Sequence, residues 1–166
     1  YAPDQGEIYI EDEQGQKITQ NEVRGKIAYV PQGNSLLHLS ITENLRMGKD
    51  LSRAEIEQAC RKANIHDWIL SLPKGYDTII EVDHHPSQGQ AQRIAIARAL
   101  ALGYKMIIMD EPFSALDREN IEDLANMIHN QKGLGAIIVS HESTSRSVAS
   151  HVFELKEGGL YESDNL

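Results

Sequence analysis

The sequence predicts an α/β fold with a mainly parallel sheet and a helical insert. Two apolar runs of strand length, MIIM at 106–109 and AIIV at 136–139, are typical of strands buried on both faces of a parallel sheet. Strand and helix patterns alternate at both ends of the chain. Between Ser35 and about Pro73 the pattern is helical and polar, so we expect a small helical region between the first strands and the later ones.

The first elements follow from alternation, turn residues and caps. Residues 7–11 alternate polar and apolar positions and a Gln-Gly pair at 14–15 supplies a turn, which predicts a short hairpin. The segment KIAYVPQ predicts a strand at Ile27–Val30 that ends at a proline. Ser52 and Glu55 have the spacing of a capping box and mark the start of a helix.

The later elements continue this alternation. The patterns predict, in order, a helix at Ala91–Leu102, a strand in KMIIMDEP, an amphipathic helix stopped by Gly133, a buried strand in GAIIVSH, a short helix in ESTSRSVAS, and a closing strand and hairpin in HVFELKEGGL. Acidic residues follow the first of these strands and a histidine follows the second. The ends of these strands are therefore the places to look for chemistry.

Composition and charge limit the classes of protein to which the chain can belong. The chain has 166 residues, about one domain, and a formal net charge of −9, which argues against nucleic acid as a partner. An acidic protein can still hold a nucleotide through backbone N–H groups. The one cysteine, Cys60, excludes an internal disulfide and is expected to pack beside Ile56 and Ala63. No apolar run reaches the roughly 18 residues of a membrane span, so we expect the chain itself to be soluble.

Two carboxylates follow the strand at 106–109. Asp110 and Glu111 would lie at the carboxyl edge of a parallel sheet, where α/β proteins bind ligands. An aspartate there can hold Mg²⁺ through water, and a glutamate beside it can deprotonate a water that attacks a phosphate. An acidic turn after a core strand is the alternative, and this motif alone does not separate the two.

The helix that begins near Ser87 is a second candidate site. Ser87 and Gln90 have capping-box spacing, which by itself predicts only a stable helix start. The same geometry predicts an anion site, because unpaired N–H groups of Ser87, Gln88, Gly89 and Gln90 would stand at the positive end of the helix dipole. Gly89 would let a ligand approach the backbone closely.

Two single polar residues end strands at the expected sheet edge. Gln32 follows the strand at Ile27–Val30, and His141 follows GAIIVS. A lone histidine is more often structural than catalytic, but His141 leaves its strand at the edge expected for Asp110. A contact with the γ-phosphate of a nucleotide is therefore a hypothesis for His141.

The order and spacing of these motifs resemble a known family. Gln32, Ser87–Gln90, Asp110-Glu111, Ser114–Asp117 and His141 closely resemble the Q-loop, signature, Walker B, D-loop and switch histidine of ABC-type ATPase domains. The resemblance extends over nearly the whole chain, and QRIAIARAL and DEPFSALD are its most specific segments. It implies a P-loop NTPase-like (ABC ATPase) core at 1–33 and 89–166, with a helical subdomain at 34–88 that ends at the signature.

The resemblance implies a role for each of these positions, with ATP and Mg²⁺ as cofactors. Gln32 would contact Mg²⁺ and the attacking water, Asp110 would hold Mg²⁺, and Glu111 would be the catalytic base. His141 would sense the γ-phosphate. The residues that would grip the γ-phosphate of a nucleotide bound mainly by the partner subunit are Ser87, Gln88, Gly89 and Gln90. Asp117 would act across the dimer interface.

The resemblance also implies partners and a location. VPQGNSLLHLSITENLRMG and LPKGYDTII look like exporter-type domains, whose partners are a second nucleotide-binding domain and the membrane domain of a transporter. The intact parent would then be an ATPase at the cytoplasmic face of a membrane, coupling ATP hydrolysis to transport. The short distance from Gln32 to Ser87 disfavours the DNA-repair branch, which carries a long coiled coil there.

The sequence departs from the family pattern in two places. The phosphate loop, G-x-x-x-x-G-K-[ST], is absent, and the resemblance implies that it lies before Tyr1 with its strand and helix. We therefore expect this chain to bind ATP poorly and not to turn it over alone. The usual signature L-S-G-G-Q stands here as Pro86-Ser87-Gln88-Gly89-Gln90, and Pro86 fixes its own φ.

These departures leave a second hypothesis open and raise a structural question. The chain could be a natural non-hydrolysing module that completes a partner's ATP site, although Asp110, Glu111 and His141 are unexpected in a dead site. By resemblance, the missing strand lies between the strand that ends near Ser140 and the one near Val152. Unpaired strand edges would remain there, and we expect self-association or strand exchange with a second copy to cover them.

Overall fold

The computed structural model describes residues 4–7, 9–11, 14–23, 25–33, 36–114, 116–141, 146 and 149–163. Its elements, in chain order, are β1 (Tyr9–Glu11), β2 (Lys17–Thr19), α1 (Gln20–Val23), β3 (Ile27–Val30), α2 (Ile41–Arg46), α3 (Arg53–Lys62), α4 (His66–Ser71), α5 (Gln88–Ala101), β4 (Met106–Asp110), α6 (Arg118–His129), β5 (Gly135–Val139), β6 (Val152–Lys156) and β7 (Gly159–Ser163). Six of the nine residues of ESTSRSVAS, where we expect a short helix, lie outside the described residues.

A three-stranded parallel sheet forms the centre of the fold. Its strand order is β3-β4-β5. Ile27 of β3 lies beside Met106 of β4, which in turn lies beside Gly135 of β5. The strands run in the same direction, so their carboxyl ends meet at one edge of the sheet. The predicted α/β class with a parallel sheet is confirmed.

Only one face of this sheet is buried. On β4, Ile107 and Met109 are fully buried in a core that includes residues of α5 and α6. The alternate side chains point to the other face, where Ile137 and Val139 of β5 are 50% and 51% exposed. The prediction that both apolar runs are buried on both faces is therefore wrong, because nothing among the described residues covers the second face.

We name this second surface the open sheet face. It consists of Tyr29, Ile108, Ile137 and Val139, with Asp110 at its end. These residues share one face because Tyr29, Ile108 and Ile137 lie side by side in register, and because positions two apart on a strand point the same way. An apolar surface thus leads directly to an acidic residue.

Two hairpins form separate two-stranded sheets. β1 and β2 pair antiparallel with Ile10 opposite Ile18, and the turn between them contains Gly15 at a φ of 78°. β6 and β7 pair antiparallel with Val152 opposite Ser163. Both hairpins confirm the sequence prediction, and Gly15 supplies the positive φ that such a turn requires.

The helical region packs on α5 and contains the buried cysteine. Helix α3 starts at the predicted capping box, in which Glu55 N donates to Ser52 Oγ at 3.3 Å and Ser52 N donates to Glu55 Oε2 at 2.8 Å. Cys60 is fully buried with Ile56 and Ala63, as predicted. Burial raises the pKa of the Cys60 thiol to about 11.

Two helix boundaries differ from the prediction. Helix α5 begins at Gln88, three residues before the predicted Ala91, because the cap at Ser87 already fixes the first turn. Helix α6 ends at His129, with Asn130 as its C-terminal cap, so Gly133 lies in the turn that follows and not at the helix end.

Candidate functional site

Two carboxylates lie at the carboxyl edge of the central sheet. Asp110 is the last residue of β4, and Glu111 is the next residue. The Glu111 N–H donates to the Val139 carbonyl at 2.8 Å, which ties the turn to the end of β5. Glu111 has a φ of 48°, in the left-handed region that few residues other than glycine adopt. The chain therefore turns sharply at the acid itself.

Glu111 and His141 are brought together at this edge. The His141 N–H donates to Glu111 Oε1 at 3.1 Å, and His141 Nε2 lies 3.5 Å from the same oxygen. The Glu111 side chain is 12% exposed, whereas the His141 side chain is 97% exposed. A carboxylate fixed by a backbone donor beside an open imidazole is suited to moving a proton to or from a bound water.

Asp110 has a partner that sequence analysis missed. The Tyr29 hydroxyl donates to Asp110 Oδ2 at 3.2 Å. Desolvation raises the pKa of Tyr29, and the hydrogen bond to Asp110 raises it further. The sequence does show one hydroxyl, that of Tyr29, on the otherwise apolar strand IAYV. Its partner lies 81 positions away, and only the strand register brings the two residues together.

Gln32 lies near the same edge of the sheet as the two acids. It is exposed, two residues beyond β3, whose last residue Val30 lies beside Met109 of β4. No hydrogen bond recorded for the described part of the chain joins Gln32 to Asp110 or Glu111.

The start of α5 is a capping box, and this changes the predicted anion site. The Gln90 N–H donates to Ser87 Oγ at 3.3 Å, and the Ser87 N–H donates to Gln90 Oε1 at 2.8 Å. The expectation that all four N–H groups are unpaired is therefore wrong for Ser87 and Gln90. Of the four, the N–H groups of Gln88 and Gly89 have no such partner within the described residues.

The start of α5 packs against the segment that follows the two acids. Gln88 Nε2 donates to Ser114 Oγ at 3.3 Å. A Cβ added to Gly89 would lie 3.1 Å from Leu116 Cδ2, so the missing side chain makes room for Leu116. Asp117 caps α6 by accepting from the Asn120 N–H at 2.9 Å. Two of the predicted motifs are thus in direct contact within one chain.

A buried asparagine, also missed by sequence analysis, joins α2 to α5. Asn44 is fully buried; its Oδ1 accepts from the Leu37 N–H at 2.8 Å and from Arg98 Nη2 of α5 at 3.4 Å. Its Nδ2 donates to the carbonyls of Leu37, Leu39 and Ser40. Leu37 and Leu39 also line a groove of about 460 Å³, together with Met47 of the α2 C-terminus. The groove wall is therefore joined to α5 by hydrogen bonds through Asn44.

The donor atoms at the sheet edge fit Mg²⁺. Asp110 and Glu111 offer carboxylate oxygens and Gln32 offers an amide oxygen, which are the hard ligands that Mg²⁺ prefers. No group of three or more His, Cys, Asp or Glu side chains suited to a metal ion occurs in the described residues. Mg²⁺ is usually bound by one or two carboxylates together with phosphate oxygens and water.

Comparisons with known proteins identify the family of this chain. The family model described as ABC transporter matches residues 1–114. ABC transporter B family member 2 of Dictyostelium discoideum is 36% identical over 165 residues, which is 98% of this chain and 12% of that protein. A probable ABC transporter ATP-binding/permease protein of Haemophilus influenzae is 37% identical over 163 residues, 96% of this chain and 30% of that protein.

A solved structure of a bacterial Atm1-family ABC exporter with ATP bound has a similar fold. Its TM-score is 0.74 and its identity 32%, and the match covers 87% of this chain and 26% of that one. The chain thus spans 12% to 30% of the length of these relatives. None of the helices in the described residues is long and apolar enough to cross a membrane. With its family match over 114 residues, its exporter relatives and its shared fold, the chain belongs to the ABC transporter family.

Proposed function

We propose that this chain is part of the ATP-hydrolysing domain of an exporter, in which ATP binding and hydrolysis drive transport across a membrane. The observation that carries this proposal is the Glu111–His141 pair at the carboxyl edge of the parallel sheet, with Asp110 beside it. The segment at 34–88 acts as the helical subdomain of this ATP-hydrolysing domain. The domain lies at the cytoplasmic face of the membrane.

Each acid has a separate role in this proposal. Asp110 holds Mg²⁺, which supplies charge neutralisation at the β- and γ-phosphates when it is bound. Glu111 accepts a proton from the attacking water, and the His141 N–H keeps its carboxylate in place. Gln32, exposed at the same edge, orients that water and reports to the membrane domain.

The start of α5 serves the nucleotide of a second nucleotide-binding domain. The N–H groups of Gln88 and Gly89 stand at the positive end of a 14-residue helix and are available to a γ-phosphate. Ser87 and Gln90 hold this turn rigid through their capping box. Asp117 lies next to this surface and contacts the partner domain while it caps α6.

Two further surfaces suggest partners. Leu37, Leu39 and Met47 are 46%, 41% and 47% exposed around the groove, and we assign this apolar surface to the membrane domain of the transporter. The open sheet face and the edge of β5 are assigned to self-association of this chain by strand exchange. The printed sequence has no G-x-x-x-x-G-K-[ST] motif, so we expect weak ATP binding by the 166 residues alone.

One alternative function has an observation in its favour. The sequence at 86–90 departs from the usual signature at Pro86 and Gln88, as in a degenerate module that completes a partner's ATP site without hydrolysis. The close contact between Glu111 and His141 supports hydrolysis instead, since a module without catalysis has no need of it.

The test is Glu111→Gln in the natural polypeptide that contains this sequence. We expect nucleotide affinity to stay within about twofold while the rate of hydrolysis falls by about 100-fold or more, as for the loss of a general base. Glu119→Gln, an exposed change on α6, is the matched control. Undiminished hydrolysis by the Glu111 variant refutes the assigned base. Nucleotide binding without hydrolysis by the unmodified polypeptide favours the module.

A further inference from the structure

Tyr29 and Asp110 are diagonal neighbours on adjacent parallel strands. In the register of β3 and β4, Tyr29 lies beside Ile108, two positions before Asp110. Positions two apart on a strand share a face, so Tyr29 and Asp110 both lie on the open sheet face. A side chain as long as tyrosine spans this diagonal, and its hydroxyl reaches Asp110 Oδ2 at 3.2 Å.

This contact restrains a carboxylate that is otherwise free to rotate. The terminal torsion of an aspartate is broad, so the carboxylate of an exposed Asp samples many orientations. A hydrogen bond to Oδ2 removes most of that freedom and leaves Oδ1 for another ligand. Tyrosine is well suited to the task, because its rigid ring loses little conformational entropy when it is held.

We propose that Tyr29 is a positioning residue for the cation site, whose hydroxyl holds Oδ2 of Asp110 so that Oδ1 is presented to Mg²⁺. The inference rests on the proposed function, in which Asp110 holds that ion. Tyr29 does not touch the reacting atoms in this account. It acts through Asp110, by making one carboxylate oxygen available in one orientation.

The exposure of Tyr29 separates this role from a role in folding. Tyr29 is 60% exposed and belongs to the open sheet face, not to the buried core. In the 166-residue chain this hydrogen bond joins two solvent-accessible side chains and contributes little to stability, so Tyr29→Phe should leave the unfolding of that chain unchanged. A change in metal binding by this variant would then report the orientation of Asp110.

The experiment measures metal affinity directly in the natural polypeptide that contains this sequence. Glu111→Gln prevents turnover, and Mn²⁺ in the presence of saturating ATP is titrated by electron paramagnetic resonance, because Mn²⁺ prefers the same oxygen ligands. We expect Tyr29→Phe to raise the dissociation constant of Mn²⁺ about 3- to 10-fold, the effect of losing one hydrogen bond. ATP affinity without divalent cation should not change.

A second readout and a control variant complete the design. With Glu111 intact, the Mg²⁺ concentration for half-maximal hydrolysis should rise by the same factor in Tyr29→Phe, while the maximal rate stays within about twofold. Tyr161→Phe removes a hydroxyl from a tyrosine of similar exposure on β7 and should change neither quantity.

The outcomes distinguish this inference from the function on which it rests. If Asp110→Asn abolishes Mn²⁺ binding and Tyr29→Phe binds like the unmodified protein, the positioning role is wrong and the metal site stands. If Asp110→Asn leaves Mn²⁺ binding intact, the metal role of Asp110 itself is wrong. A Tyr29→Phe variant that loses ATP affinity without cation, or unfolds more easily than Tyr161→Phe, also overturns the inference.

Discussion

Gly89 packs against a side chain of its own chain. The Cδ2 atom of Leu116 lies 3.1 Å from the position that a Cβ at residue 89 would occupy, which is tighter than ordinary van der Waals contact. Leu116 is partly buried against the main core, so it yields only in part. Glycine at this position is therefore explained by packing, whether or not a phosphate also approaches the backbone.

A double-mutant cycle measures this packing. Alanine is favoured over glycine in a helix by up to about 1 kcal/mol. In the Leu116→Ala background, Gly89→Ala should therefore stabilise the chain, whereas in the unmodified background the contact should cancel much of that gain. We expect a coupling of about 0.5–1 kcal/mol between the two changes, measured by urea unfolding. Equal effects of Gly89→Ala in both backgrounds would show that Leu116 does not set the requirement.

Sequence analysis predicted those residues of the candidate site that directly follow an apolar strand. Glu111 and His141 follow apolar runs, so their meeting at one sheet edge follows from the parallel direction of the strands. The Tyr29–Asp110 contact was not predicted because the two residues lie 81 positions apart, and the link from Asn44 to α5 was not predicted because Arg98 lies 54 positions away. Such contacts depend on strand register and helix packing, which local patterns do not contain.

Among the described residues, three helices begin with the same reciprocal cap. The pairs are Ser40 with Glu43, Ser52 with Glu55, and Ser87 with Gln90. The hydrogen bond from the Ser52 side chain, followed by the one from its backbone, lowers the pKa of Glu55 from its usual value near 4.5. The first two caps therefore depend on pH, while the third, built on an amide, does not.

This difference gives a pH test at the level of the element. Because the pKa of Glu55 is lower in the folded chain, its contribution is present above pH 4.5 and lost as the pH falls through the folded value. The stability difference between the unmodified chain and Glu55→Gln, measured by urea unfolding, should shrink between pH 7 and pH 3. Gln90→Ala should destabilise equally at both pH values. A Glu55 effect that persists at pH 3 would contradict the ionised cap.

Helix and strand positions were largely predictable, but burial was not. Caps and apolar runs gave β3 its bounds and α3 its start. The apolar run AIIV at 136–139 predicted a buried β5, yet Ile137 and Val139 are half exposed. Burial depends on what covers a face, and a strand of isoleucine and valine has the same pattern whether or not a partner lies on it.

The open sheet face is an exposed apolar surface of the described chain. Its apolar side chains adjoin β5, which is an edge strand in the order β3-β4-β5. Exposed apolar edges pair readily with other chains. The proposed self-association follows from this surface.

Two charged substitutions test the self-association. The 166-residue chain should form dimers or larger species as its concentration rises, and Ile137→Lys with Val139→Lys should shift it toward the monomer, because two charges on the edge oppose pairing. Leu70 of α4 is 55% exposed, and Leu70→Lys should leave the association unchanged. Light scattering after size exclusion gives the mass. A monomer at high concentration for the unmodified chain would end the proposal.

The left-handed backbone at position 111 has one last implication. Glycine adopts a φ of 48° without steric penalty, whereas glutamate does so only against its conformational preference. A chain selected for ease of folding alone would place glycine there. If Glu111 is the proposed catalytic base, Glu111→Gly would relieve the strained backbone at this turn and at the same time abolish hydrolysis.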